Sequence, residues 1–218
     1  MKRVILTNIH PISNTAPPFS LGNRMSVNVF RVAFKDALNA LSAFIANDEH
    51  MQSLSKLADE ISSAFDKRGK VLICGNGGSQ CDALHFAEEF TGRYRKNRRA
   101  LPVLALGEAS HVTCVGNDYG FEEIFARGVQ AFGEAGDILI VLSTSGNSGN
   151  IIKAVAEARR KGLKTAALLG KGGGKIKGTC DYEWVVPGET SDRIQEIHMC
   201  MLHILIEAIE RKMFPENY

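Results

Sequence analysis

The chain has 218 residues, enough for one domain with a sizeable core, and its hydrophobic (44%) and charged (23%) fractions are those of an ordinary globular protein. A formal net charge of +2 gives no electrostatic case for nucleic acid or a membrane surface, and no apolar run approaches the length of a membrane span. Five cysteines, Cys74, Cys81, Cys114, Cys180 and Cys200, form an odd set with no C-x-x-C pair, which argues against a disulfide framework and a structural zinc site and fits a reducing cytoplasm.

Residues 1–26 carry Pro11, Pro17 and Pro18 without sustained periodicity and read as an N-terminal extension, with Met25 as an alternative start that the mass of the native protein would decide. The remainder, 27–218, reads as a single domain. Apolar positions Val29, Val32, Ala33, Leu38, Leu41, Phe44 and Ile45 predict a helix over 27–46, and Leu54, Leu57, Ala58, Ile61 and Phe65 a second over 51–65. Two amphipathic helices ahead of any strand must cover something, and an oligomer interface serves as well as a sheet.

Alternation then begins. A buried strand over 70–74 leads into Gly75-Asn-Gly-Gly-Ser79 and a helix over 80–91; a second strand spans 102–106; Asn117-Asp-Tyr-Gly120 punctuates a loop before a helix over 121–132. The run 138–142 is apolar throughout, as in a strand buried on both faces, and it breaks into Ser143-Thr-Ser-Gly-Asn-Ser148 before Ile151, Ile152, Val155 and Ala158 repeat with helical spacing. Strands over 165–169 and 182–186 follow, separated by a lysine- and glycine-rich turn at 170–178, and a long helix over 192–212 closes the chain. Strands alternating with helices imply right-handed crossovers and an α/β, doubly wound, five-stranded parallel sheet, whose ligands bind beyond the carboxyl ends of the strands.

Two strand-to-helix turns therefore stand where a ligand belongs. The turn 143–148 offers four hydroxyls and the free amides of a helix N-terminus, a phosphate cradle that needs no lysine; the competing reading is that Ser145 or Asn147 merely caps the helix. The turn 75–79 lacks the spacing of a dinucleotide site and the lysine of a Walker loop, so a sugar or sugar phosphate suits it better than NAD or ATP. In the helix after it, His85 and Glu89 lie four apart on one face, a spacing that suits a divalent metal or a base oriented by an imidazole, with an exposed ion pair as the alternative. In the last helix, His203 sits among apolar neighbours like a core histidine. Gln195 lies eight residues before it, about 12 Å along a straight helix and some 80° around it, so for one ion to take both the helix must bend or one of them must come from a neighbouring subunit, the second being preferred. The basic cluster Arg93, Arg95, Lys96, Arg98 and Arg99 reads as a solvated loop able to help hold an anion.

Cys74-Gly-Asn-Gly-Gly-Ser79, His85-Phe-Ala-Glu-Glu89 with Thr91-Gly-Arg-Tyr94, Val115-Gly-Asn-Asp118, Ser143-Thr-Ser-Gly-Asn-Ser148 and Arg193-Ile-Gln-Glu-Ile-His198 together resemble the phosphoheptose (sedoheptulose 7-phosphate) isomerases of the sugar isomerase (SIS) domain family, in register from about residue 30 to 213. Gln80 departs from the histidine of several relatives. The resemblance implies an aldose-ketose isomerisation through an enediol, giving D-glycero-D-manno-heptose 7-phosphate as the first step of heptose biosynthesis for lipopolysaccharide core or surface glycans. It implies Glu89 as the base and His203 as the acid; Asn76, Gly77, Gly78, Glu89, Asn117, Asp118 and Gln195 on the sugar; and Ser143, Thr144, Ser145 and Ser148 on the phosphate. It further implies one zinc ion per subunit among His85, Glu89, Gln195 and His203, and a cytoplasmic homotetramer with active sites between subunits. Some family members are noncatalytic sugar-phosphate binders or regulators of a replication initiator; they have no need of both Glu89 and His203.

Overall fold

In the computed structural model, residues 27–218 are described, and the expected N-terminal extension lies outside them. Five parallel strands, β1 (Val71–Gly75), β2 (Val103–Ala105), β3 (Ile138–Ser143), β4 (Lys164–Leu169) and β5 (Tyr182–Val185), form one sheet in the order β2-β1-β3-β4-β5. This is the doubly wound sheet that the alternation predicts.

Side chains of a strand alternate between faces, and the core divides accordingly. Val71, Ile73, Ile138, Ile140, Leu142, Ala166, Leu168 and Trp184 pack under α1 (Val27–Ile45), α2 (Asp48–Asp66), α3 (Gly78–Thr91) and α7 (Ser191–Met213). Leu72, Cys74, Leu139, Val141, Ala167 and Leu169 pack under α4 (Ala109–Asp118), α5 (Ile124–Phe132) and α6 (Gly149–Arg160). Every residue of β1 and β3 is buried, which is why both read as continuous apolar runs rather than alternating ones.

The chain reverses its winding between β1 and β3, and their register sets Gly75 opposite Leu142. The turns that leave these two strands are thus neighbours at the switch point, the place where an open α/β sheet receives its ligand.

In the fold the structure departs from the sequence reading at α4 and at the basic cluster. Residues 109–118 form α4, so Asn117 and Asp118 end a helix instead of punctuating a loop; the Glu108 carboxylate starts that helix by accepting the N–H groups of Ser110 and His111. The basic cluster is not a purely solvated loop. The Arg98 side chain is buried, pairs with Glu210 at 2.7 Å and donates to the carbonyls of Glu89, Phe90 and Gly92, clamping the end of α3 to α7.

Candidate active site

The serine turn is held by its own residues. Ser143 Oγ accepts the Gly146 N–H at 3.0 Å, Ser145 Oγ accepts the Asn147 N–H at 3.2 Å, and the Thr144 and Ser191 hydroxyls lie 3.1 Å apart. Ser148 is the N-cap residue of α6, yet its side chain caps nothing, and neither Ser145 nor Asn147 caps the helix. The capping alternative therefore falls away. The Ser148 and Gly149 N–H groups, at the positive end of α6, have no acceptor among the described residues.

Gly146 is indispensable to this shape: its φ is +63°, and a Cβ there would lie 1.8 Å from the Gly173 carbonyl oxygen.

The glycine turn abuts it. Asn76 and Asn150 exchange two amide hydrogen bonds of 2.9 Å, tying the turn after β1 to the first turn of α6. Asn150 was not among the residues read from sequence; its place one helical step past the serine turn was the only available signal. Gly77 takes a left-handed φ of +56° to start α3, and Gly78 leaves room for the Gln195 amide, whose oxygen would sit 2.8 Å from a Cβ there. Gln195 Nε2 donates to Ser79 Oγ at 3.2 Å. Gln80, where the pattern departs from the family, accepts the Gly75 N–H and donates to the Leu106 carbonyl, stapling the ends of β1 and β2 together.

One turn and two turns further along α3 stand His85 and Glu89, 3.3 Å apart, and α7 brings His203 against them. The His85 and His203 rings meet edge to face with centroids 5.0 Å apart, and Tyr94 stacks on His203 at 5.9 Å. His203 is thus a partly exposed member of a cluster; the fully buried core histidine of α7 is His198. The ligand atoms of His85, Glu89 and His203 all lie within 4.8 Å of one another. Two imidazoles and a carboxylate are the donor set of a catalytic zinc centre that keeps a position open, so the residues fit the metal. Gln195 is engaged at Gly78 and Ser79 in this chain, in keeping with the helical geometry that separates it from His203.

Asp82, one turn before His85, is a further polar group of this face. Burial pushes its carboxyl up to about 6 against the pull of His85, and its Oδ2 has no hydrogen-bond partner among the described residues. Asp118, by contrast, accepts the Asn117 amide at 2.8 Å and the Cys114 thiol at 3.7 Å, and among the described residues neither Asn117 nor Asp118 has a side-chain hydrogen bond to either turn.

The candidate site therefore has two ends, an uncapped serine turn beyond β3 and a His-Glu-His cluster beyond β1. The SIS domain profile matches residues 33–170. The phosphoheptose isomerase of Fusobacterium nucleatum is 59% identical over 85% of this chain and 96% of its own length, and that of Proteus mirabilis 50% identical over 87% and 99%. The structure of a phosphoheptose isomerase from Francisella tularensis superposes with a TM-score of 0.81 at 36% identity, covering 85% of this chain and 98% of that one. The chain belongs to the phosphoheptose isomerases of the SIS domain family.

Proposed function

We propose that this protein converts D-sedoheptulose 7-phosphate to D-glycero-D-manno-heptose 7-phosphate, the first step of heptose biosynthesis for lipopolysaccharide core or surface glycans. The observation that carries the reading is the pairing, in one chain, of an uncapped serine turn with a carboxylate and an imidazole held together across two helices.

The phosphate docks against Ser143, Thr144, Ser145, Ser148 and the free amides of α6, and the sugar lies over the glycine turn, Gln195 and the Asn117-Asp118 corner. Its reacting end then reaches Glu89 and His203. A proton on C1, next to the C2 carbonyl, is too weakly acidic for water to remove at neutral pH. Glu89 takes that proton; His203 gives a proton to O2, yielding the enediol, and takes up the O1 proton as the C1 carbonyl forms, which restores the acid. Glu89 returns its proton to C2, completing the aldose. Anchoring at the far end turns phosphate affinity into orientation at the reacting one.

A zinc ion, one per subunit, would be held by His85, Glu89 and His203, with Gln195 as the fourth group offered by the family pattern. When bound, it supplies polarisation of the sugar oxygens.

Homotetramer formation is supported by apolar surface that a lone subunit leaves in water. Val29, Phe30, Val32, Phe34 and Leu38 are exposed along α1, and Ile204, next to His203, borders a groove of about 480 Å³ between α2 and α7. An assembly through this surface would place the neighbour beside the catalytic cluster. Light scattering after size exclusion reads the assembly directly. No described helix is long and apolar enough to cross a membrane, which accords with a cytoplasmic enzyme.

The test of the activity is incubation with sedoheptulose 7-phosphate followed by NMR. An aldose signal that grows with enzyme, and not with unphosphorylated sedoheptulose, is the expected result; no aldose with or without added zinc would overturn the reading.

A further inference from the structure

The serine turn holds hydroxyls and amides but no cation of its own. A helix N-terminus supplies about half a positive charge, while a phosphate monoester carries close to two negative ones at neutral pH, so most of the charge at this end is still to be matched.

The lysine- and glycine-rich loop after β4 stands against the turn. Its Ile176 N–H donates to the Gly146 carbonyl and its Lys175 N–H to the Asn147 side chain, each at 3.1 Å, so loop and turn form one body. The loop begins at Gly170, where a Cβ would lie 2.9 Å from the Thr144 carbonyl oxygen. The next residue is Lys171. Its Nζ donates to Ser191 Oγ at 3.3 Å, and Ser191 Oγ lies 3.1 Å from Thr144 Oγ1, so one hydroxyl separates the ammonium from the phosphate cradle.

Two features single out this lysine. Lys171 holds a φ of +47° and is followed by three glycines that also have positive φ; a residue with a side chain stands where the backbone favours none. Like Lys175 and Lys177 of the same loop it forms no salt bridge among the described residues, but it is the one of the three that hydrogen-bonds Ser191 beside the turn; Glu122, which lies against the start of α6, is already paired with Lys153 at 3.1 Å.

We propose that Lys171 is the cation of the phosphate subsite, pairing with the terminal phosphate of the sugar and selecting phosphorylated substrates. The assignment rests on the phosphate-anchoring reading above. The ammonium waits on Ser191 and swings to the phosphate oxygens on binding, a charge-assisted contact made in ground and transition states alike. Its loss therefore falls on KM rather than kcat.

The experiment compares wild type, Lys171→Met, Lys171→Arg and, as a control on the same loop, Lys175→Met. It measures steady-state kinetics with sedoheptulose 7-phosphate and, separately, the affinity for inorganic phosphate by calorimetry at low and high KCl. Lys171→Met should raise KM and weaken inorganic phosphate about tenfold or more with kcat within about threefold, Lys171→Arg should recover most of the loss, and Lys175→Met should stay within about twofold. Wild-type phosphate affinity should fall with added salt, and Lys171→Met should flatten that dependence. Unchanged phosphate affinity in Lys171→Met, an equal loss in Lys175→Met, or a wild type insensitive to salt would each overturn the assignment. A wild type that binds phosphate through Lys171 but leaves sedoheptulose 7-phosphate unchanged would sink the isomerase reading and leave this one standing. Normal turnover with a silent Lys171→Met would do the reverse.

Discussion

The two ends of the site are built in opposite ways. The serine turn is six consecutive residues whose shape is set by backbone: Gly146 in a left-handed conformation, Ser143 Oγ folded back on the Gly146 N–H, and the glycine loop of residues 170–174 filling the space behind. The His85-Glu89-His203 cluster has no such local logic. Its members come from α3 and α7, brought together by Phe86, Phe90, Met201, Leu202 and Leu205 in one core and by the buried Arg98-Glu210 pair. On the proposed reading the anchor shares its load among many neutral donors, so each of these side chains is worth little, while the chemical end depends on each member and on the packing of two helices.

That contrast can be broken or sharpened by substitution. The largest effect falls on Glu89: Glu89→Gln keeps the shape and removes the base, and kcat should drop by about 10³-fold, read from the NMR assay; a loss below tenfold would move the base elsewhere. Next is Arg98→Met, which leaves the buried Glu210 carboxylate without its cation and with only the Tyr218 hydroxyl as a donor. Breaking a buried pair in this way costs about 3 to 5 kcal/mol, measured by urea denaturation, and the distributed end should lose activity before the protein unfolds. A cost under about 1 kcal/mol would show that the clamp is not what holds α3 to α7.

His198 links the two ends. It bonds the Leu169 carbonyl, just before the glycine loop, and it rides on α7 with His203. Burial depresses its pKa to about 4, well below the usual histidine value. The unfolded chain therefore takes up its proton first, and stability that is fully present above about pH 6.5 is lost as the pH falls towards 4. His198→Gln should remove a pH-dependent part of roughly 2 to 3 kcal/mol between pH 6.5 and 4 from the urea midpoints. Parallel wild-type and variant curves over that window would contradict the buried neutral imidazole. The smallest effect belongs to the anchor: Ser148→Ala should raise KM about three- to tenfold with kcat nearly unchanged, because one neutral donor among several is lost.

The same contrast explains what was legible in the sequence. The sheet was, because five short apolar runs alternating with helical stripes admit few topologies, and the serine turn was, because all of its parts are contiguous. Helix α4 was not: its residues are mostly short, polar or β-branched, and only Val115 is buried, so it shows little apolar periodicity. Arg98 was read as one of five surface cations, since nothing local distinguishes it; its partner Glu210 lies on the last helix. The neighbours of His203 read like those of a core histidine for the same reason, and only the resemblance put it in the site. His198 and His203 both have apolar neighbours, and only tertiary packing decides that the first faces the sheet and the second meets His85. Lys171 was counted as loop composition because its contact with Ser191 spans 20 residues.

The central claim is a division of labour, and a double-mutant cycle on Glu89→Gln and Ser148→Ala tests it most directly, with kcat and inorganic phosphate affinity measured for all four proteins. The account predicts that Glu89→Gln loses turnover and keeps phosphate affinity, that Ser148→Ala does the reverse, and that the double variant shows both losses independently. Loss of phosphate affinity in Glu89→Gln, or a fall in kcat in Ser148→Ala comparable to that of Glu89→Gln, would contradict it.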